Sequence, residues 1–201
     1  RFTGGVYDDQ TGDGSGLYVH DSARGEIREC DVSRNQFHGL LLMDDAALDL
    51  ESNRFNDNGD TGIVYTNHAG GTAKHNECSG NKGHGIFLRE RAAPSLEENR
   101  CLANDSSGIS YLGESGGLAR GNVCSGNAVH GIGVEENAHP DLKDNVLDDN
   151  GDAGIAYFDN AAGLAQGNSC SGNAAHGIYV GNDAAPALVD NECALGGSVA
   201  Q

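Results

Sequence analysis

Four histidines recur at a constant step of 46 residues: His38, His84, His130 and His176. Each stands directly before a glycine. Imidazole transfers protons near neutral pH and is the commonest metal ligand in proteins. A shared metal ion would need the imidazole nitrogens to converge within about 2.1 Å of it. Whether these histidines form a site therefore depends on where the chain places them.

Carboxylates are abundant, with 30 Asp and Glu against 12 Lys and Arg and a net charge of −18. Glycoside hydrolysis uses two carboxyl groups about 5–9.5 Å apart, one with a raised pKa. Glu135 paired with Glu90 or Asp159 could meet that distance, but so many carboxylates would meet it by chance. The charge argues against nucleic acid or an anionic membrane as partner. No apolar run reaches the ~18 residues of a membrane span.

A repeat of 23 residues organises the chain. Its marker is a glycine followed by Leu or Ile, here called the anchor glycine. The anchors are Gly16, Gly39, Gly62, Gly85, Gly108, Gly131, Gly154 and Gly177. There is no insertion between the first and the last, so the sequence predicts eight equal coils stacked on one another.

Other residue types keep the same step. Asn forms two columns, one through Asn53 and Asn76 and one through Asn58 and Asn81, which predicts ladders of stacked amides at the corners. Alternating apolar pairs such as Ile86 and Leu88 predict short strands with one face inward. Five of the six cysteines share an inward column and are predicted to be buried and reduced: Cys78, Cys101, Cys124, Cys170 and Cys193.

Stacking fixes the spacing of the four histidines. Adjacent coils lie ~4.8 Å apart, so histidines in alternate coils lie ~9.6 Å apart. That separation prevents two of them from sharing a metal ion, and we predict no metal site. Two interpretations remain open: each ring forms a hydrogen bond with the backbone of the neighbouring coil, or the rings line a groove.

The coil pattern Asn76-Glu-Cys-Ser-Gly-Asn81-Lys-Gly-His-Gly85-Ile-Phe-Leu88 resembles that of the pectin-lyase-like superfamily of right-handed parallel β-helix proteins, over about residues 16–195. The resemblance implies an all-β fold: a right-handed parallel β-helix of about eight 23-residue coils. We expect one domain over residues 1–201, as part of a larger protein. The superfamily contains lyases, hydrolases, epimerases and non-catalytic modules, so the fold does not select a function.

An outward strand face is the candidate ligand-binding surface. The positions two and four residues after each anchor are unusually rich in large apolar and aromatic side chains, and an acidic column runs beside them. Such a face suits a sugar chain or the edge of another protein. The predicted ligand-binding residues are Tyr18, Phe87, Arg89, Glu135, Phe158 and Tyr179, together with His84 and His130.

The sequence lacks the features that usually form an active site on this fold. The resemblance implies that lyases carry basic residues and calcium-binding carboxylates on long loops, whereas this chain has three Lys and no insertion. It also lacks an Asp-Pro-His-Glu-like cluster of the uronan epimerases. We assign no catalytic residue from sequence.

The leading prediction is a non-catalytic recognition or scaffold module that presents a flat strand face to a polysaccharide or a protein. The alternative is a carbohydrate-active enzyme, a lyase, hydrolase or epimerase, with a groove on the same face. A structural spacer is a third class. No cofactor is predicted, but calcium could bridge the protein to an acidic polymer; without it the charge favours neutral or cationic ligands. We also expect a flanking domain or a second chain to cap an end of the solenoid.

Overall fold

The computed structural model describes residues 14–181 and 183–193. These residues form eight stacked coils built from 20 short parallel strands, and the described part contains no helix. No helix of the described residues could therefore cross a membrane. The predicted all-β solenoid of eight 23-residue coils is confirmed.

Sheet 1 follows the anchor glycines and takes one strand from every coil. Residues 23 apart pair in register, as Leu17 does with Leu40. Its strands are β1 (Leu17–Val19), β3 (Leu40–Leu42), β5 (Ile63–Tyr65), β7 (Ile86–Leu88), β10 (Ile109–Tyr111), β13 (Ile132–Val134), β15 (Ala153–Tyr157) and β18 (His176–Val180).

Sheet 2 forms the next side of each coil, with the same register. Its strands are β2 (Arg24–Arg28), β4 (Ala47–Glu51), β6 (Gly70–Lys74), β8 (Ser95–Glu97), β11 (Leu118–Arg120), β14 (Asp141–Lys143), β16 (Leu164–Gln166) and β19 (Ala187–Val189).

The third side is less regular. It contains two strand pairs, and isolated parallel bridges such as Asp31 with Arg54 continue the ladder between coils. Its strands are β9 (Arg100–Leu102), β12 (Val123–Ser125), β17 (Ser169–Cys170) and β20 (Glu192–Cys193).

The core is a narrow column of inward side chains from all three sides. Tyr65, Tyr111 and Tyr157 are fully buried in alternate coils, with Leu88 and Val134 at the same position in the coils between. The hydroxyl groups of these three tyrosines have no hydrogen-bond partner among the described residues. Burial raises the pKa of all three tyrosines, so these side chains remain neutral.

The cysteine column lies in this core, and all described cysteines are free. Four of the five predicted buried thiols are buried: Cys78, Cys101, Cys124 and Cys170. The prediction is wrong for Cys193, which is half-buried. It lies in the last described coil, where no further described coil covers it.

Two asparagine ladders hold the corners, as predicted. In the middle of the rod, Asn104 Nδ2 donates to Asn127 Oδ1 at 2.9 Å and to the carbonyl of Cys78 at 3.0 Å. The backbone N–H of Asn104 donates to the same Asn127 oxygen at 3.1 Å. Each buried amide thus satisfies backbone groups that the corner leaves without a strand partner.

The acidic column forms the third corner. Asp21, Asp44, Glu90, Glu136 and Asp159 all adopt left-handed φ angles of 54° to 61°. The carboxylates of Asp44, Glu90 and Asp159 also accept backbone N–H groups of the preceding coil, as Asp44 Oδ2 does from Asp21 at 3.0 Å. These residues therefore shape a turn, and a role beside the ligand face stays a prediction.

The end of the solenoid bears on the predicted cap. Leu188 belongs to an inward column but is exposed, and it lines a depression of about 280 Å³ with Ile178 and Cys193. The C-terminal residues 194–201, which follow this last coil, lie outside the described residues. A capping domain or second chain stays a prediction, as does the single domain over residues 1–201.

Candidate functional site

The outward side of sheet 1 is the candidate site, and we call it the groove face. Each coil contributes three positions: the residue before the anchor glycine and the residues two and four after it. In the coil of Gly85 these are His84, Phe87 and Arg89. The rings of His84 and Phe87 stack with their centroids 5.1 Å apart. All eight sequence-predicted site residues lie on this face, in two groups of four: Tyr18, His84, Phe87 and Arg89, and then His130, Glu135, Phe158 and Tyr179.

The first group borders an open cleft of about 520 Å³ over the first four coils. Tyr18 at its end is 49% exposed. The lining mixes apolar and aromatic side chains with polar ones in about equal share: Phe37, Leu41, Met43, Val64 and Phe87, with His38, Asp60, Thr61, His84 and Arg89. Such a cleft offers both stacking surfaces and hydrogen-bonding groups to a ligand.

Arg89 is the one Lys or Arg residue on the described groove face. Its Nε donates to Thr66 Oγ1 at 3.1 Å, and Thr66 is buried. No carboxylate of the described residues forms an ion pair with it, whereas Arg91 two residues further on pairs with Glu114 at 2.8 Å. The Arg89 guanidinium is therefore held at one edge while its terminal nitrogens lack a carboxylate partner.

Two of the four column histidines make the backbone contacts that one sequence interpretation proposed, whereas the Nδ1 atoms of His84 and His176 have no hydrogen-bond partner among the described residues. His130 Nδ1 accepts the N–H of Ala153 in the next coil at 3.4 Å, and His38 Nδ1 accepts that of Thr61 at 3.3 Å. An accepting Nδ1 carries no proton, so the neutral ring carries its proton on Nε2. The groove interpretation holds as well, because His38 and His84 line the cleft.

Burial keeps the two central imidazoles neutral. Burial lowers the pKa of His130, against the opposing effect of the Asp152 carboxylate, whose Oδ2 lies 3.7 Å from Nδ1. Burial also lowers the pKa of His84, opposed mainly by the Asp60 carboxylate. Near neutral pH both rings are therefore neutral, and the accepting Nδ1 of His130 leaves its proton on Nε2.

Small residues form a trough in the second half of the groove face. Ser110, Gly133 and Ala156 are register partners in three successive coils, and all three are buried. Phe87 precedes Ser110 in this column, and Tyr179 follows Ala156. Two aromatic side chains thus close the ends of a trough in which only small side chains point outward.

Three polar side chains converge over the middle of this trough. The position that a Cβ atom on Gly133 would take lies 3.6 Å from His130 Cδ2, 3.8 Å from Glu135 Oε1 and 3.8 Å from Ser107 Oγ. Cδ2 is bonded to Nε2, so the proton-bearing edge of the imidazole borders this space. An imidazole, a carboxyl and a hydroxyl group therefore all border the outward side of Gly133.

Glu135 is the carboxyl group of the cluster, and it is half-buried. Burial raises its pKa, and the charges of Asp159 and Glu136 raise it further. A carboxyl group with a raised pKa exchanges protons closer to neutral pH, as an acid–base group requires. Phe158 walls this side, with its ring 5.6 Å from that of His130 and 5.2 Å from that of Tyr179.

Sequence reasoning missed Ser107 and Gly133. Ser107 occupies a coil between two histidine coils, and its Oγ accepts the backbone N–H of His130 at 3.4 Å. Gly133 matters because it lacks a side chain where Phe87 and Tyr179 have large ones. The available signal was a run of small residues, Ser110, Gly133 and Ala156, inside an otherwise bulky column.

A possible cation group lies away from this trough, where His20, Asp21 and Asp44 place nitrogen and oxygen atoms within 4.8 Å of one another. All three are exposed, and Asp44 accepts the backbone N–H of Asp21 as part of the corner. Calcium takes about 6–8 oxygen ligands. This group is accounted for by the corner, and we build no function on it.

Comparison with known proteins places the fold. The sequence model of the family described as "right handed beta helix region" matches residues 6–118 and 76–194, which together span most of the chain. No curated protein sequence matches this chain significantly.

Two solved structures are similar in fold. The periplasmic alginate epimerase AlgG shares 20% identity at a TM-score of 0.80, covering 90% of this chain and 48% of that one. The A-module of Azotobacter vinelandii mannuronan C-5 epimerase AlgE4 shares 18% identity at a TM-score of 0.68, covering 90% and 59% respectively. The chain thus spans about half the length of these structural relatives, and at this identity the likeness shows the fold alone.

Proposed function

This chain belongs to the right-handed β-helix family, and on that scaffold we propose that the groove face binds a polysaccharide and catalyses proton transfer on one of its sugar residues. The observation that carries the proposal is the convergence of His130, Glu135 and Ser107 over Gly133. The proposal favours the carbohydrate-active alternative over a scaffold without activity.

The chemistry follows from the protonation states of the two central groups. The Glu135 carboxylate, whose raised pKa makes it a stronger base, takes a proton from the carbon next to the carboxyl group of a uronic acid residue. The C–H bond breaks, and its electron pair moves into the carboxyl group of the sugar. The neutral His130 ring donates Nε2–H to an oxygen of that group and stabilises the charge that develops.

The intermediate has two exits. Return of a proton to the opposite face of the carbon inverts it, which is epimerisation. Departure of the neighbouring glycosidic oxygen leaves a carbon–carbon double bond, which is a lyase reaction. The names of the two structural relatives, alginate epimerase and mannuronan C-5 epimerase, support the first exit by analogy of fold only.

Hydrolysis is less well supported by the same geometry. It requires a second free carboxylate across the sugar ring. The carboxylates whose charges raise the pKa of Glu135 are Asp159 and Glu136. Both lie at the left-handed corner. Asp159 Oδ2 already accepts the backbone N–H of Glu136 at 3.3 Å.

The test is incubation of the protein in heavy water with uronate polymers and neutral polymers, each with and without calcium. Proton abstraction predicts deuterium at the carbon beside the carboxyl group, with inversion or a new double bond in the product. Glu135→Gln should lower the exchange rate by about 100-fold or more, the usual size of an acid–base contribution. Binding without exchange would refute the catalytic proposal and leave the recognition module, whereas new reducing ends without exchange would indicate hydrolysis.

A further inference from the structure

The two charged side chains at the groove-face positions, Arg89 and Glu135, lie two coils apart. From the second described coil to the eighth, titratable side chains at these positions occur only in the coils that carry a histidine before the anchor glycine, although the Asp60 carboxylate of an intervening coil also lines the cleft. Arg89 and Glu135 lie in two of these coils, each four residues after its anchor. The intervening coils offer Thr61, Val64 and Thr66, then Ser107, Ser110 and Leu112, then Ala153, Ala156 and Phe158.

The period of this pattern has a chemical counterpart. Two coils advance by ~9.6 Å along the rod. A sugar residue in an extended polysaccharide advances by about the same distance as one coil. A chain lying along the rod would therefore place every second sugar residue against a histidine coil and the others against a coil without a cation at the groove face.

The charge balance limits how acidic that polysaccharide can be. The protein carries a net charge of −18, and the groove face supplies one fixed cation, Arg89. Its guanidinium is oriented by buried Thr66 and borders the aromatic cleft beside Phe87. A polymer with a carboxylate on every residue would place the sugars on either side of Arg89 against coils that offer no cation.

We propose that the groove face recognises an alternating polysaccharide, with one uronic acid and one neutral sugar in each repeat, and that each repeat spans two coils. Arg89 binds the carboxylate of one uronate. The next uronate, two residues along, lies over Gly133 between His130 and Glu135. The neutral sugar between them lies against Ser107, Ser110 and Leu112. This inference rests on the proposed function for its reactive position, but the recognition itself requires no turnover.

Binding to defined oligosaccharides is the first test. The probes are oligosaccharides of equal length from hyaluronan and heparosan, which alternate, and from polymannuronate, which is acidic throughout. Isothermal titration calorimetry should show about tenfold tighter binding of both alternating probes, and Arg89→Gln should abolish most of that binding, since a charged hydrogen bond is lost. Arg91→Gln is the matched control, because that side chain pairs with Glu114 outside the groove face.

A pair of added cations tests the register without changing the ligand. Met43→Arg adds a cation two coils from Arg89, and Leu112→Arg adds one a single coil away; both positions lie four residues after an anchor glycine. Met43→Arg should favour the alternating probes, and Leu112→Arg should favour polymannuronate. Thermal unfolding checks that each variant is folded.

If Met43→Arg and Leu112→Arg each increased the affinity for the alternating probes and for polymannuronate equally, the two-coil register would be wrong. Equal or tighter binding of polymannuronate by the unmodified protein, or equal effects of Arg89→Gln and Arg91→Gln, would overturn the recognition itself. These outcomes are separate from failure of the catalytic proposal. Tighter binding of the alternating probes with no deuterium exchange would refute the catalytic proposal and support the recognition. Deuterium exchange on polymannuronate alone would support the catalytic proposal and refute the recognition of an alternating polysaccharide.

Discussion

The Nδ1 atom of His130 accepts a hydrogen bond from the backbone N–H of Ala153 in the next coil, at an N–N distance of 3.4 Å. This contact joins the architecture to the chemistry, because the backbone of one coil sets the tautomer of a ring in the coil before it. The repeat thereby orients an acid–base group without any loop leaving the solenoid. Protonation of Nδ1 would break the contact, so burial and hydrogen bonding both favour the neutral ring.

The first prediction concerns stability against pH. Because the folded-state pKa of His130 lies below its unfolded value, its contribution is complete above that unfolded value, near 6.5, and is lost as pH falls through the folded value. His130→Asn should reduce the loss of unfolding free energy between pH ~7 and ~5. The groups around the ring are Asp152, Glu135 and His84, and the pKa of His84 is also lowered, so part of the acid sensitivity should remain. Denaturant unfolding at several pH values measures this, and an unchanged pH slope would contradict it.

The second prediction concerns the asparagine ladders. Asn104→Ala removes donors and an acceptor from buried backbone and amide partners and should lower the unfolding free energy by about 1–3 kcal/mol. Asn182 also stands outside both ladder columns, but it lies outside the described residues. Asn160 is exposed and outside both ladders, so Asn160→Ala should have little effect. Equal losses in urea unfolding at the two sites would refute the ladder argument.

The third prediction concerns the thiols. Cys78, Cys101, Cys124 and Cys170 are buried and should not react with a thiol reagent in the native state. Half-buried Cys30 and Cys193 should react slowly, and denaturation should expose all six. Rapid native labelling of three or more thiols, located by mass spectrometry, would contradict the inward column.

The fourth prediction concerns the aromatic side chains of the groove face. Phe87 borders the cleft beside Arg89, and Phe158 packs near the His130 ring, so each offers a rigid stacking surface to a sugar. Phe87→Ala and Phe158→Ala should each weaken polysaccharide binding by about tenfold. Val146→Ala, an exposed apolar position on the third side of the solenoid, is the control. Similar losses in all three variants would mean that the groove face is not the binding surface.

The sequence predicts the architecture well because stacking makes each structural position a column of one residue type. Asn104 and Asn127 are visible as ladder partners from their spacing alone. The corner role of Asp44 and Glu90 is not visible in the sequence, because a left-handed corner and a ligand-facing carboxylate give the same column of acidic residues. Gly133 is not recognisable for a different reason: its contribution is the absence of a side chain, which matters only when the positions of the surrounding atoms are known.

The most direct test of the account is to fill the space above Gly133. A Cβ atom there meets no other atom closer than 3.6 Å, so Gly133→Ala should fold normally. Its methyl group would occupy the space bordered by His130, Glu135 and Ser107 while leaving every acid–base group in place. The account predicts that the rate of deuterium incorporation into a uronate-containing polysaccharide falls by about 100-fold, because the sugar is displaced from the reacting groups. A folded Gly133→Ala protein that exchanges deuterium at the unmodified rate would contradict it.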